Sequence, residues 1–123
     1  MEAGAKTVMV AEDEILIRLL VADVLTDAGF DVIEVGSAEE ALTILQSRPL
    51  EIHLLFTDIH MPGQMSGLDL AHHVRRNWPH VALLIASGRN KPHPSALPGG
   101  STFLPKPYNP HHVVLHAKTL TTA

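Results

Sequence analysis

Short apolar segments alternate along this chain with longer segments in which apolar and polar residues are mixed. The short segments have the length and composition of strands in a sheet that is covered on both faces. They lie at Thr7–Ala11 and at residues 30–35, 54–56, 81–86 and 102–104. The pattern therefore predicts five strands, and the third runs on toward Asp58.

The segments between the strands carry apolar residues at helical spacing. Residues 15–28 are densely apolar and are followed by Gly29, a residue typical of helix ends, so we expect a well-buried first helix. The interval 89–101 differs, because it contains three prolines and two glycines. Each interior proline costs a helix about 3 kcal/mol, so we expect no regular helix there.

Three further helices begin at residues that cap helix N-termini. Ser37 is followed three residues later by Glu40, which predicts a capping box, and Ser66 can cap the next helix, with Asp69 at its third position. Asn109 precedes a proline, the usual order of a cap and a first helical residue. Alternating strands and helices of this kind predict an α/β fold with a parallel sheet and helices on both faces.

Composition narrows the classes of function. The chain has 123 residues, the size of one domain, and 46% of them are hydrophobic. The net charge is −4 and there is no Lys/Arg-rich patch, which argues against nucleic-acid binding. The absence of cysteine excludes disulfides and thiol catalysis. Without an apolar run of membrane-spanning length or a signal-peptide pattern, we expect a soluble, cytoplasmic protein.

Polar residues follow the predicted strands where each strand ends. Because the carboxyl ends of parallel strands meet at one edge of a sheet, these side chains are expected to lie together. Several carboxylates without arginine suggest Mg²⁺, and a nearby lysine and hydroxyl suit phosphoryl transfer to an aspartate. The residues are Glu12 and Asp13 after the first strand, Asp58 after the third, Ser87 after the fourth and Lys106 after the fifth.

This set resembles the receiver domain of two-component response regulators, a bacterial signalling module, over nearly the whole chain. The resemblance implies one domain, 1–123 with a core of about 6–120, and a flavodoxin-like (βα)5 three-layer sandwich. It also implies strand order 2-1-3-4-5, here with a short or absent fourth helix. The motifs that carry it appear in order: Glu12-Asp13, Asp58, Met61-Pro62, Ser87-Gly88 and Lys106-Pro107.

The resemblance implies a role for each acidic residue. Asp58 would accept a phosphoryl group from a sensor histidine kinase or a histidine phosphotransfer protein. Asp13, Asp58 and the backbone carbonyl of His60 would hold Mg²⁺ or Mn²⁺, and Glu12 would act through water. The protein would be a signalling switch that catalyses only its own phosphorylation and dephosphorylation.

The remaining motif residues would contact or respond to the phosphoryl group. Lys106 and Ser87 would contact its oxygens. Phe103 lies where receivers place a switch aromatic that turns inward when Ser87 moves, although plain core packing explains an aromatic there equally well. The bond before Pro107 is often cis in this family, which would help to aim Lys106.

Two departures from the family's common pattern affect the expected partners. The segment 89–101 replaces a helix that usually belongs to the signalling face, and the loop after Asp58 looks one residue longer than usual. Both features resemble stand-alone receivers with a degenerate fourth helix, some of which work with HWE-type kinases. We expect a monomer or weak dimer that contacts an unknown downstream protein, and neither nucleic acid nor membrane directly.

Other functions remain as alternatives. A haloacid-dehalogenase-type phosphohydrolase needs an acid two residues after its nucleophile, where this chain has His60. A receiver that is never phosphorylated would be expected to lack part of the acid set. A nucleotide-binding flavodoxin-like domain would need a glycine-rich phosphate loop, and none is present. Among nine histidines, His112 and His116 can share a helix face, but no third metal ligand is placed with them.

Overall fold

A five-stranded sheet with helices on both sides organises the chain, whose computed structural model describes residues 4–88 and 92–122. Within these ranges no helix is long and apolar enough to cross a membrane. The strands are β1 (Thr7–Ala11), β2 (Asp31–Val35), β3 (Leu54–Asp58), β4 (Ala82–Ser87) and β5 (Thr102–Pro105). The α-helices are α1 (Ile15–Asp27), α2 (Ala38–Ser47), α3 (Gly67–Asn77) and α4 (Pro110–Thr121).

The strands are all parallel and lie in the order β2-β1-β3-β4-β5, which confirms the predicted fold. Every residue of the central strand β3 is buried, whereas the edge strands β2 and β5 are partly exposed. This difference explains why β3 begins with a continuous apolar run at residues 54–56, whereas β2 contains acidic residues, since only central strands are covered on both faces.

Alternation along the strands divides the core between the two faces of the sheet. The first cluster joins Met9, Leu55 and Ile85 to α2 and α3. The second joins neighbouring strand residues, such as Val10 and Phe56, to α1 and α4. Each strand therefore contributes to both layers of the core, and residues two apart face the same layer.

Helix α1 is not well buried, contrary to the expectation from its apolar density. Only Val21, Ala22 and Leu25 are buried in it. Its outer side exposes Ile15, Leu16, Leu19 and Leu20, at 60%, 77%, 50% and 58% of their surface. The dense apolar sequence therefore serves two surfaces, one against the sheet and one open to solvent.

The helix caps follow the predicted residues, with one difference. At α3 both bonds of the capping box form, because Ser66 accepts the N–H of Asp69 and Asp69 accepts the N–H of Ser66. At α2 Ser37 accepts the N–H of Glu40. The Glu40 carboxylate, however, accepts the N–H of Gly36, one residue before the cap, at 2.7 Å. The capping box predicted at Ser37 is therefore only half formed.

The segment between β4 and β5 contains no regular α-helix in its described part, residues 92–101. It forms a single 3-10 turn at Pro94–Ala96, and the Ala96 carbonyl lies 2.7 Å from Nε2 of His72 on α3. This agrees with the prediction that its prolines prevent a helix. The same prediction for residues 89–91 lies outside the described residues.

The loop after β3 returns to the end of the strand at Gly67. The N–H of Gly67 donates to the carbonyl of Ile59 at 2.8 Å. A Cβ atom on Gly67 would lie 1.7 Å from the backbone oxygen of Asp58, a distance that no side chain can adopt. The close packing of α3 against the end of β3 therefore requires glycine.

We predict that Gly67→Ala lowers the free energy of unfolding by about 3 kcal/mol, because the added methyl group forces the backbone of β3 and α3 apart. Urea denaturation measures the change. Gly99→Ala is the matched control, since nothing lies within 4 Å of its added Cβ. Equal stability of the two variants would contradict the described contact.

Candidate functional site

Three carboxylates meet at the carboxyl edge of the sheet. Glu12, Asp13 and Asp58 each offer an oxygen, and these atoms all lie within 4.8 Å of one another. Glu12 and Asp58 are only 2% and 7% exposed, whereas Asp13 is exposed. The site therefore concentrates negative charge at the boundary between the core and solvent.

Strand alternation explains why these side chains meet. Ala11 pairs with Thr57, and Asp58 pairs with Ala86, so the ends of β1, β3 and β4 lie at one level. Three polar residues, Glu12, Asp58 and Lys106, continue the alternation on the same face of the sheet. Each follows by two positions a member of the second core cluster, namely Val10, Phe56 and Leu104.

Lys106 supplies positive charge to the two buried acids. Its Nζ atom lies 3.0 Å from Oδ2 of Asp58 and 3.5 Å from Oε1 of Glu12. Burial alone would lower the pKa of Lys106, but its hydrogen bond to Asp58 and the nearby negative charges raise it overall. The lysine is therefore held in its charged form. The peptide bond before Pro107 is cis.

The surroundings of Glu12 disfavour its charged form. Burial raises the pKa of Glu12, and the charge of Asp58 raises it further. A hydrogen bond from the N–H of Glu14, at 3.1 Å, and the charge of Lys106 act in the opposite direction without cancelling the effect. The site therefore favours an added positive charge.

The other residues singled out in the sequence lie around this cluster. Ser87 is buried opposite Pro105, and its Oγ atom has no hydrogen-bond partner among the described residues. His60 is exposed two residues after Asp58. Phe103 is partly buried and packs against the first core cluster. The structure thus joins Glu12, Asp13, Asp58 and Lys106 directly, with Ser87 at the same edge.

The donor set fits a hard divalent cation. Mg²⁺ prefers oxygen ligands and is commonly bound through one or two carboxylates. The acid cluster offers three carboxylates within reach of one another, one of them exposed. Burial, and to a smaller extent the charge of Asp58, raises the pKa of Glu12, and a bound cation would stabilise its charged form.

Two residues near the acids were not identified from the sequence. Arg18 on α1 donates from Nη1 to the backbone oxygen of Glu12 at 3.0 Å and pairs with Glu34 at 3.4 Å. It holds the backbone of the acidic turn without contacting the site carboxylates. Its position one helical turn after Glu14 is the only sequence feature that points to it.

Tyr108, two residues after Lys106, is the second residue near the acids that was not identified from the sequence. It meets Phe56 edge-to-face with ring centroids 5.8 Å apart. Burial raises the pKa of Tyr108, and the charges of Glu12 and Asp58 add to the shift. Its ring forms part of a groove of about 400 Å³ that also contains Ile17, Leu20, Gly88, Lys106, Pro107 and Pro110.

Comparison with known proteins shows a matching family model and a shared fold. Residues 8–118 match the family model described as the response regulator receiver domain. A receiver protein from Sinorhizobium medicae WSM419 has the same fold, with a TM-score of 0.89 and 29% identity, over 97% of this chain and 96% of that one.

Two curated relatives are longer than this chain. It is 30% identical to the aerobic respiration control protein ArcA of Escherichia coli K12, over 92% of this chain and 47% of that protein. It is 31% identical to the sensor kinase CckA of Brucella abortus, over 87% of this chain and 12% of that protein. The similarity therefore covers less than half of either relative.

We predict that Glu12→Gln raises the free energy of unfolding at pH 7 in metal-free buffer. The pKa of Glu12 is raised in the folded state above its ordinary value of 4.5, so the folded state binds this proton more tightly. Stability is accordingly lost as the pH rises from about 4.5 through the folded-state pKa.

The measurement is urea unfolding between pH 4 and 8 with EDTA present. The variant should lose less stability across this range than the wild type, whereas the exposed control Glu51→Gln should not differ from it. A steeper loss in Glu12→Gln would contradict the assigned direction of the shift.

Proposed function

The chain belongs to the response regulator receiver domain family, and on that basis we propose that it is a phosphorylation switch whose acceptor is Asp58. Receiver domains are signalling switches of two-component systems. The observation that best supports the proposal is the Asp58 carboxylate, buried beside two further acids and only 3.0 Å from the Lys106 ammonium. A nucleophilic acid and a cation in contact are the parts that phosphoryl transfer to aspartate requires.

In the proposed reaction an oxygen of Asp58 attacks the phosphorus of a phosphohistidine. The new O–P bond forms an acyl phosphate while the N–P bond breaks, and the histidine nitrogen leaves with its electron pair. Lys106 neutralises charge on the phosphoryl oxygens. The hydroxyl of Ser87, which has no hydrogen-bond partner among the described residues, donates a hydrogen bond to one of these oxygens.

Mg²⁺ or Mn²⁺ is the proposed cofactor. Asp13, Asp58 and the backbone carbonyl of His60 would hold it, and Glu12 would act through water. The ion would neutralise negative charge on the acids and on the transferred group. This assignment is supported by the clustering of the three carboxylates and by the exposure of Asp13, which leaves the site open to solvent.

The output of the switch is proposed to be a change in protein contacts. The hydroxyl of Ser87 moves toward the phosphoryl group, and the partly buried ring of Phe103 follows it inward. Phe103 and Leu97 both pack against the first core cluster. We propose that a movement of Phe103 is transmitted through this cluster to the segment that replaces the fourth helix, where an unidentified downstream protein would bind.

We predict that the protein gains one phosphoryl group when it is incubated with acetyl phosphate and Mg²⁺. Intact-mass spectrometry measures the gain. Asp58→Asn should abolish it, because an amide is not a nucleophile of this kind, whereas Asp31→Asn at the opposite edge of the sheet should not. No gain in the folded wild type, or an equal gain in Asp58→Asn, would contradict Asp58 as the acceptor.

The physiological donor is proposed to be a histidine kinase or phosphotransfer protein that docks on α1. Leu16, Leu19 and Leu20 are exposed at the spacing i, i+3, i+4 that packs against another helix. Leu20 also lines the groove that reaches Lys106. The apolar stripe is thus continuous with the site to which a protein donor must deliver its phosphoryl group.

We predict that Leu16→Gln with Leu20→Gln slows transfer from a histidine-phosphorylated kinase fragment about tenfold, equivalent to about 1.4 kcal/mol of lost binding. Transfer from acetyl phosphate should be unchanged. Leu50→Gln is the matched control, since Leu50 is 83% exposed. It precedes β3 and so lies at the amino ends of the strands, away from the site at their carboxyl ends. Equal slowing with both donors, or none with the protein donor, would contradict docking on α1.

A further inference from the structure

The loop between β3 and α3 is anchored at both ends. Its first end is joined to its last by the bond from Gly67 to the Ile59 carbonyl. The capping box of Ser66 and Asp69 fixes the start of α3. Residues 60–65 lie between these anchors, and this stretch contains His60, whose carbonyl we assign to the cation.

Glu39, in the first turn of α2, holds the middle of this loop. Its Oε2 atom accepts the N–H of Gln64 at 2.9 Å and the N–H of Met65 at 3.0 Å. Within residues 4–88 and 92–122, these are the hydrogen bonds that tie residues 60–65 to another element of the fold. A single carboxylate therefore links α2 to the loop that follows Asp58.

The backbone of the loop is shaped to receive this carboxylate. Gly63 has φ +111°, a conformation that side-chain-bearing residues rarely adopt, and a Cβ there would lie 2.7 Å from Oε1 of Glu39. Met65, which donates one of the bonds, also packs against the first core cluster. Glycine at the turn and a packed side chain beyond it present two N–H groups to one oxygen.

The carboxylate is charged throughout the neutral range. A hydrogen bond from its own backbone N–H lowers the pKa of Glu39, and the bonds from Met65 and Gln64 lower it further. Because the folded-state pKa lies below the ordinary value, the contribution of Glu39 is present above that value and is lost only as the pH falls through the folded-state pKa.

We infer that Glu39 is a positioning residue for the phosphoryl-transfer site, acting through the backbone of the loop that carries His60. The inference rests on the proposed function of Asp58. Without the carboxylate the loop must be ordered when the cation binds, and the entropy of ordering then weakens cation binding. The chemical step at saturating cation does not involve Glu39 and keeps its rate.

The chain offers a matched set of variants. Glu39→Ala removes both bonds, whereas Glu39→Gln keeps an oxygen that can accept them. Glu40→Ala is the control, because Glu40 is the next residue in the same helical turn, carries the same charge and bonds the backbone of Gly36 instead of the loop. Losses of helix charge or general stability therefore appear in the control as well.

Three measurements test the inference. Amide hydrogen exchange of Gln64 and Met65, followed by NMR without Mg²⁺, reports the clamp itself. Calorimetric titration gives the affinity for Mg²⁺, and the phosphorylation rate is then measured at saturating Mg²⁺. In Glu39→Ala we expect faster exchange at both amides, about tenfold weaker Mg²⁺ binding and an unchanged saturated rate. Glu39→Gln should recover most of the affinity, and Glu40→Ala should match the wild type.

Two results would overturn the inference and leave the proposed function standing. One is unchanged exchange of the two amides in Glu39→Ala. The other is faster exchange with the Mg²⁺ affinity of the wild type, which would make the clamp a purely structural contact. A wild-type protein that neither binds Mg²⁺ nor accepts a phosphoryl group would instead remove the proposed function, and the inference with it.

Discussion

The accumulation of negative charge at one edge of the sheet is the constraint on which the rest of the site depends. Two of the three carboxylates are almost completely buried, and among the described residues Lys106 is the cation in contact with them. Burial makes this costly, as the raised pKa of Glu12 indicates. Such a site is poised for ligands that bring positive charge or that use the lysine. A divalent cation and a phosphoryl group together meet both conditions.

Much of the fold and of the site could be predicted from the sequence because both depend on local patterns. Central strands must be apolar on both faces, so β1, β3 and β4 appear as short apolar runs, and the polar residues that follow these runs mark the strand ends. Serine and asparagine caps place the helix starts within a residue. The meeting of Asp58 and Lys106 follows from parallel strand ends, although 48 positions separate them.

Other features depend on three-dimensional contacts that no local pattern encodes. The density of leucine in α1 shows that the helix has two apolar faces. It does not show whether the second face packs against the core or is open to solvent and to a partner protein. The Glu40 carboxylate accepts the N–H of Gly36 instead of the N–H of the cap residue Ser37. The Ser-x-x-Glu motif is the same in both cases, so it cannot tell which of the two bonds forms. Glu39 contacts residues 25 and 26 positions away across a loop, and the sequence around it reads as an ordinary acidic helix start.

A crystal structure of the protein with Mg²⁺ and beryllofluoride, a mimic of the phosphoryl group, tests the central claim most directly. Our account predicts beryllium joined to the Asp58 carboxylate, fluorides in contact with Lys106 Nζ and Ser87 Oγ, and Mg²⁺ between the acids and the His60 carbonyl. Beryllofluoride bound to another residue, or absent from Asp58 while Mg²⁺ occupies the acids, would contradict Asp58 as the site of phosphorylation.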